Sequence, residues 1–266
     1  MKNFLKIKLF KHTSRVRVYF YMISAFIIVL LLYFIFVVHY SRNFINTKIY
    51  YYYPDHYSSG IIQGGTLLSD DKFDNNYDFD TDSSFTKFVN NKVGFNKIDY
   101  IPDDLEKIES DYVLDIRGDS LYRKDANLAL QNMAKDFYLI FKKKMVVVSA
   151  FRSYEYQVGI KSRGCSDLFC AKPGFSEHQT GLVLDLWEAS TEKEFLSNKM
   201  LNAYYSWMQD NAYKYGFHNT YQKGPDVDGY VVEPWHWRYL GIDFATYLYE
   251  NKLTISEFYQ KYTENK

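Results

Sequence analysis

Two histidines, an aspartate and a glutamate stand in two short stretches whose residue types suit metal-assisted hydrolysis. His178 lies in SEHQTGLVLD, seven residues before Asp185, and His236 lies in EPWHWRY, three residues after Glu233. Two imidazoles and one carboxylate form a donor set that suits zinc, and a fourth position left to water is what a hydrolytic site requires. Glu233, placed beside such a metal, could take a proton from the water and later pass it to a leaving amine. Each residue also has an ordinary explanation. A single His is more often a satisfied polar group than a ligand, Asp185 could cap a helix or pair with a cation, and Trp235 and Trp237 could be core aromatics. The helical H-E-x-x-H pattern of many zinc peptidases is absent, so spacing alone leaves both explanations open. Of six histidines, only His178, His218 and His236 fall in text that reads as globular, which narrows any metal site.

The elements that must position these groups are legible in outline. Ala126, Leu130, Met133, Ala134, Phe137 and Phe141 recur at three-and-four spacing and predict an amphipathic helix. Met145 to Ala150 is a short β-branched run that predicts a buried strand, delivering Phe151-Arg152-Ser153 to its end. Leu182 to Trp187 predicts a second strand, and the carboxylate of Asp185 inside it demands a reason. Phe195 to Ala212 predicts another helix, ended by Gly216. GPDVDG then predicts a turn before a strand over Tyr230 to Val232, and helices are expected around Phe244 to Tyr249 and Ile255 to Tyr262. Helices and strands mix without a regular strand-helix-strand repeat, which predicts an α+β fold.

SEHQTGLVLD followed by EPWHWRY resembles the VanY-type D-alanyl-D-alanine carboxypeptidases, within the lysostaphin and D-Ala-D-Ala metallopeptidase group, whose motifs are S-x-H-x-x-G-x-A-x-D and E-x-x-H. SAFRSYEYQ resembles the family's upstream strand, which ends in Y-R-S and is followed by a Gln, and YIPDDL resembles the segment that opens the domain. The resemblance covers roughly Asn90 to Tyr249. It implies a single zinc peptidase domain with a small antiparallel sheet flanked by helices. It also implies that His178, Asp185 and His236 bind Zn2+ and that Glu233 is the catalytic base. By the same likeness Arg152 partners either the scissile carbonyl as it becomes an oxyanion or the terminal carboxylate of a peptide, since a guanidinium fork suits both anions. Gln157 and Ser176 match hydrogen-bonding residues around the peptide end, and Trp235 walls the pocket. Val183 stands where the motif prefers Ala, Phe151 replaces the usual Tyr, and His218 matches no ligand position. The implied substrates are D-Ala-terminated stem peptides of peptidoglycan. An L,D-carboxypeptidase acting on tetrapeptide stems, an endopeptidase, and a non-catalytic binding module of the same fold are the alternatives, the last opposed by the full set of reactive groups.

Residues 18–38 read VYFYMISAFIIVLLLYFIFVV, uncharged and long enough at helical rise to cross a bilayer. Lys2, Lys6, Lys8, Lys11, Arg15 and Arg17 precede it, and no acidic residue occurs before Asp55. The positive-inside rule then predicts a cytoplasmic tail over 1–17, a single membrane span, and everything beyond it outside the membrane. Residues 39–91, rich in Tyr, Asn, Asp and Ser, predict a linker or stalk, leaving 92–266 as the peptidase domain. Asp74, Asn76 and Asp78 alternate as in a calcium loop, but Phe79 and Phe85 stand where that loop needs Gly and Glu. Lys plus Arg equals Asp plus Glu at 32 each, which gives no basic excess for nucleic acid. Cys165 and Cys170 fall between Arg152 and Ser176, where a disulfide would shape the entrance to the site.

Overall fold

A computed structural model describes residues 26, 28–33 and 77–264. The chain divides into two compact units, Met1–Ser69 and Asp70–Lys266. In the first, residues 26 and 28–33 are helical, and among the described residues no helix is long and apolar enough to cross a membrane. The rest of the expected span, the tail over 1–17 and most of the expected linker lie outside the described residues.

In the second unit the elements run β1 (Leu105–Lys107), β2 (Val113–Asp115), β3 (Leu121–Arg123), α1 (Lys124–Phe141), β4 (Met145–Ser149), α2 (Tyr154–Ser162), a 3-10 turn (Glu177–Thr180), β5 (Val183–Leu186), α3 (Glu192–Ser197), α4 (Lys199–Asn211), β6 (Phe217–Asn219), α5 (Pro225–Asp228), β7 (His236–Tyr239), α6 (Ile242–Asn251) and α7 (Ile255–Glu264). Five strands form one sheet in the order β2-β4-β5-β7-β6, and β1 pairs with β3 separately. The sheet is antiparallel from β4 to β6. Its β2 edge is parallel to β4, which corrects the expectation of a purely antiparallel sheet.

The sheet has two unlike faces because side chains alternate along each strand. Met145, Val147, Leu184, Leu186, Trp237 and Tyr239 belong to the main core with the Ala126, Leu130, Met133 and Phe137 face of α1 and with Tyr204 and Met208 of α4. The opposite face carries Asp185, His236 and Arg238. In β4 the pairing runs Val147 to Leu186 and then Ser149 to Asp185, so β4 holds one extra residue there. That bulge brings Ser149 opposite Asp185 rather than leaving it on the core face of Val147.

Three local expectations are corrected. Tyr230–Val232 is not a strand; the strand begins at His236, because Asn219 Nδ2 donates to the Glu233 and His236 carbonyls (2.9 and 2.7 Å) and holds the intervening residues in a turn. The expected single helix over 195–212 is two, since Asn198 accepts from the Met200 and Leu201 amides and caps a fresh start. The expected linker also ends earlier than residue 91. Phe79 and Phe88 are buried in a second cluster with Leu240, Phe244, Leu248 and Phe258, and Lys87 is 2% exposed, its ammonium on the Asp80 carbonyl (2.9 Å) and Asp82 (3.1 Å). The aromatic residues that broke the calcium-loop pattern are here packing residues.

If residues 77–91 belong to the folded domain, Phe79→Ala should cost about 3–5 kcal/mol of stability, as for other buried aromatic truncations. Urea unfolding followed by far-UV circular dichroism checks this; a loss below about 0.5 kcal/mol would return the segment to the linker.

Candidate metal centre

Asp185 on β5 and His236 on β7 are direct cross-strand partners, so the sheet itself sets their separation. His178 arrives from the 3-10 turn, which closes on Gly181 at φ +68°. A Cβ at Gly181 would come within 2.9 Å of Arg123 Cγ and Leu105 Cδ2, so the turn needs glycine for both conformation and space. One donor atom each from His178, Asp185 and His236 lies within 4.8 Å of the others, and all three residues are buried.

The outer hydrogen bonds aim each imidazole. His178 Nδ1 is 2.7 Å from the Ala150 carbonyl, which can only accept, so the proton sits on Nδ1 and Nε2 faces Asp185 Oδ2 at 3.3 Å. Burial, with the Arg152 guanidinium nearby, pushes the His178 pKa down to about 4, leaving a neutral ring with a free lone pair. His236 Nε2 is 2.9 Å from Glu177 Oε2, and Nδ1 faces Asp185 Oδ1 at 3.4 Å and Glu233 Oε2 at 3.5 Å. Without metal His236 is held protonated: burial opposes this, but its contacts with Asp185 and Glu177 raise its pKa to about 9.

Asp185 stays ionised. Burial alone would raise its pKa, and the Arg152 guanidinium with the protonated His236 holds it well below the usual range. Its Oδ1 is buried and accepts no well-formed hydrogen bond, with His236 Nδ1 standing off at 3.4 Å. A neutral imidazole nitrogen, a second imidazole whose proton a cation can displace, and a buried carboxylate oxygen lacking a close donor fit a hard to borderline divalent cation. Two imidazoles with one carboxylate suit zinc in particular.

Glu233 sits on the turn before β7 with its amide on the Tyr221 carbonyl (3.0 Å). Burial, reinforced by Asp185 against the pull of His236, raises its carboxyl to a pKa of about 7. Glu233, Arg152, Gln157, Ser176 and Trp235 all line one cleft of about 420 Å3 that contains the three candidate ligands, so every site residue expected from sequence converges there. Arg152 Nε donates to Ser149 Oγ (2.9 Å) and Nη2 to Asp185 Oδ2 (2.5 Å). Ser153 caps α2, which places Gln157 one turn on; its Nε2 holds the Ala171 carbonyl and its Oε1 has no partner among the described residues. His218 is buried on β6 opposite Arg238 and is not in the cluster, as its lack of a motif match implied.

Cys165 and Cys170 form a disulfide. Lys161 ties the ring down through the Cys165 carbonyl (2.6 Å) and Asp167 (2.7 Å), and Cys170 lines the cleft. Sequence reasoning missed Tyr221 and Tyr230 in the wall, and it missed Glu177 and Arg238. Arg238 stands two residues after His236 on one strand and so shares its face, a signal that alternation could have given.

The chain is similar to known proteins. A family model described as VanY: D-alanyl-D-alanine carboxypeptidase matches residues 119–242. YodJ of Bacillus subtilis (strain 168) is 36% identical over 168 residues, which is 59% of this chain and 56% of that protein. The chain spans about half the length of the curated relatives it matches. Among solved structures, the LdcB LD-carboxypeptidase matches at 32% identity and a TM-score of 0.55, over 68% of this chain and 87% of that one. A mutant of the vancomycin-resistance D,D-pentapeptidase VanY, in complex with Zn(II), matches at 25% identity and a TM-score of 0.50, over 66% of this chain and 97% of that one.

The Glu233 carboxyl yields a pH prediction. Its pKa of about 7 in the folded, metal-free protein exceeds the ordinary 4.5, so between those values the folded state binds more protons than the unfolded one. Its contribution therefore falls as pH rises through that window. Glu233→Gln should leave metal-free stability nearly unchanged at pH 4.5 and raise it by on the order of 3 kcal/mol at pH 8. Chemical unfolding at the two pH values measures the difference; an equal effect at both would mean Glu233 titrates normally.

Proposed function

Because this chain belongs to the VanY family of D-alanyl-D-alanine carboxypeptidases, we propose that it is a zinc carboxypeptidase that removes the C-terminal D-Ala from peptidoglycan stem peptides. The observation that carries this reading is the convergence of His178, Asp185 and His236 within 4.8 Å, with the Glu233 carboxylate beside His236 in the same cleft. His178 Nε2, Asp185 and His236 Nδ1 would hold the Zn2+. When bound, zinc supplies Lewis-acid polarisation and lowers the pKa of water enough for attack at neutral pH.

The rest of the chemistry falls to the chain. Glu233, poised near neutrality, takes a proton from the attacking water and delivers it to the leaving amine. Arg152, fixed by Ser149 at the edge of the cluster, provides cationic N–H groups for an oxygen that becomes anionic or for the terminal carboxylate. Gln157 Oε1, buried in the cleft wall, accepts from a backbone N–H of the peptide end, Ser176 adds a further hydrogen bond, and Trp235 closes the side of the pocket.

A second reading, cleavage of the L,D bond in tetrapeptide stems, is favoured by the likeness to LdcB, at higher identity and TM-score than the VanY structure. The location belongs to the same proposal. The apolar run over 18–38 with its basic flank supports a single-pass anchor with a cytoplasmic N-terminus and the domain outside, where stem peptides are found.

Incubating the protein with defined pentapeptide and tetrapeptide stems, followed by mass spectrometry, decides the bond: loss of the last residue from the pentapeptide alone supports the first reading, and loss from the tetrapeptide alone the second. About one zinc per chain is expected, and His178→Ala or His236→Ala should abolish it. Glu233→Ala should retain zinc while losing roughly a hundred- to ten-thousand-fold in turnover. Near-native turnover in that variant would remove Glu233 from the mechanism.

A further inference from the structure

Glu177 is 1% exposed and Arg238 is 0% exposed, an ion pair with both members out of water. Glu177 Oε1 accepts from Arg238 Nη1 at 2.6 Å, and Oε2 faces His236 Nε2 at 2.9 Å. Each carboxylate oxygen is thus committed, one to the guanidinium and one to the imidazole. The other hand of Arg238 is also committed: Nη2 donates to the Lys87 carbonyl (2.5 Å) and reaches the Phe85 carbonyl (3.3 Å). Those carbonyls lie ahead of the family-matched residues 119–242.

A buried ion pair is an expensive way to gain stability, since desolvating both charges offsets most of their attraction. A pair whose second carboxylate oxygen meets the far nitrogen of a candidate metal ligand has another use. A carboxylate on one imidazole nitrogen fixes the tautomer and the ring plane, and it raises the basicity of the nitrogen facing the metal. We infer that Glu177 is a positioning residue that orients His236 Nδ1 toward the metal and strengthens its hold, and that Arg238 keeps Glu177 in place by anchoring it to the backbone at Phe85 and Lys87. The inference rests on the zinc reading above. It makes residues 85–87, which the sequence placed in a linker, a strut of the metal centre.

The test is the zinc dissociation constant of the full-length chain, measured by competition with a chelator of known affinity, alongside the Tm of the same metal-free protein. Glu177→Gln keeps the shape and an acceptor for His236 while removing the charge, and it should weaken zinc binding by about ten- to a hundred-fold. A merely structural role would lower the metal-free Tm and leave the affinity of the folded protein unchanged. Because Glu177→Gln strands the Arg238 charge and can fail to fold, the paired variant Glu177→Gln with Arg238→Gln, which buries no net charge, is measured as well and should show the same loss. A cobalt-substituted sample adds a readout independent of turnover, since a reoriented imidazole shifts the visible spectrum. Zinc affinity within about two-fold of wild type in whichever variant folds overturns the inference while leaving the zinc reading intact. A wild-type chain that holds no zinc overturns both.

Discussion

The register between β5 and β7 is the constraint on which the candidate site depends. Asp185 opposes His236 and Val183 opposes Arg238, so one pairing fixes the ligand spacing and the side of the sheet on which the charged groups gather. A slip by one residue would send His236 and Arg238 into the core and bring Trp237 and Tyr239 out of it. That core, built from Leu184, Leu186, Trp237 and Tyr239 against α1 and α4, therefore holds the metal face in place from behind. The bulge in β4 is the one local departure among these pairings, and it lets Ser149 face Asp185 and steady Arg152 without disturbing Val147.

The same face gathers charged and titratable side chains, most of them buried. Asp185, Glu177 and Glu233 meet Arg152, Arg238, His178 and His236 within a few ångströms. Each ionised group is met by an opposite charge or a directed hydrogen bond, which is the condition for burying it. Glu177 shows the balance: burial would raise its pKa, but Arg238 and then His236 outweigh that and hold it at about 2. Glu233 shows the opposite outcome. With the Asp185 charge nearby and the pull of His236 and Arg152 too weak to compensate, its burial prevails and the proton is retained toward neutral pH. Two glutamates beside the same imidazole are thus driven to different protonation states by their partners.

How much of this was legible in the sequence follows from the range of the interactions. The two motifs, the helix of α1 and the strands β4 and β5 carry their signal locally, in apolar periodicity and in a carboxylate placed where a buried strand would not otherwise tolerate one. The expected site residues converge on one cleft because the motifs encode both residue type and strand position. What was not legible depends on partners distant in sequence. Tyr230–Val232 has β-branched composition, yet it pairs with no strand, and Asn219 holds the residues between Glu233 and His236 in a turn from which the strand starts. Phe79 and Phe88 sit in polar text, and only Phe244, Phe258 and Tyr259 reveal them as core. The parallel edge at β2 is three residues long and has no pattern of its own. Glu177 was in plain view between Ser176 and His178, but its role depends on an arginine 61 residues away.

The cleft joins two kinds of structure with different tolerance to change. Its floor is sheet and 3-10 turn, where cross-strand register and buried charge leave little freedom for any atom near the ligands. Its wall is made from loop segments held by scattered polar contacts: the Cys165–Cys170 ring, tied by Lys161 and joined to the strap before Glu233 by the Val231 amide on the Leu168 carbonyl (3.2 Å), and Ala171, whose carbonyl accepts from Gln157 Nε2. Substitutions in loops of this kind disturb few packing contacts, whereas a change of one methylene on the floor is felt by the core behind it. The floor and the wall of the cleft are therefore carried by elements of unequal rigidity. Likeness in the two motifs reports on the floor, while the wall residues Gln157, Tyr221 and Tyr230 stand outside both.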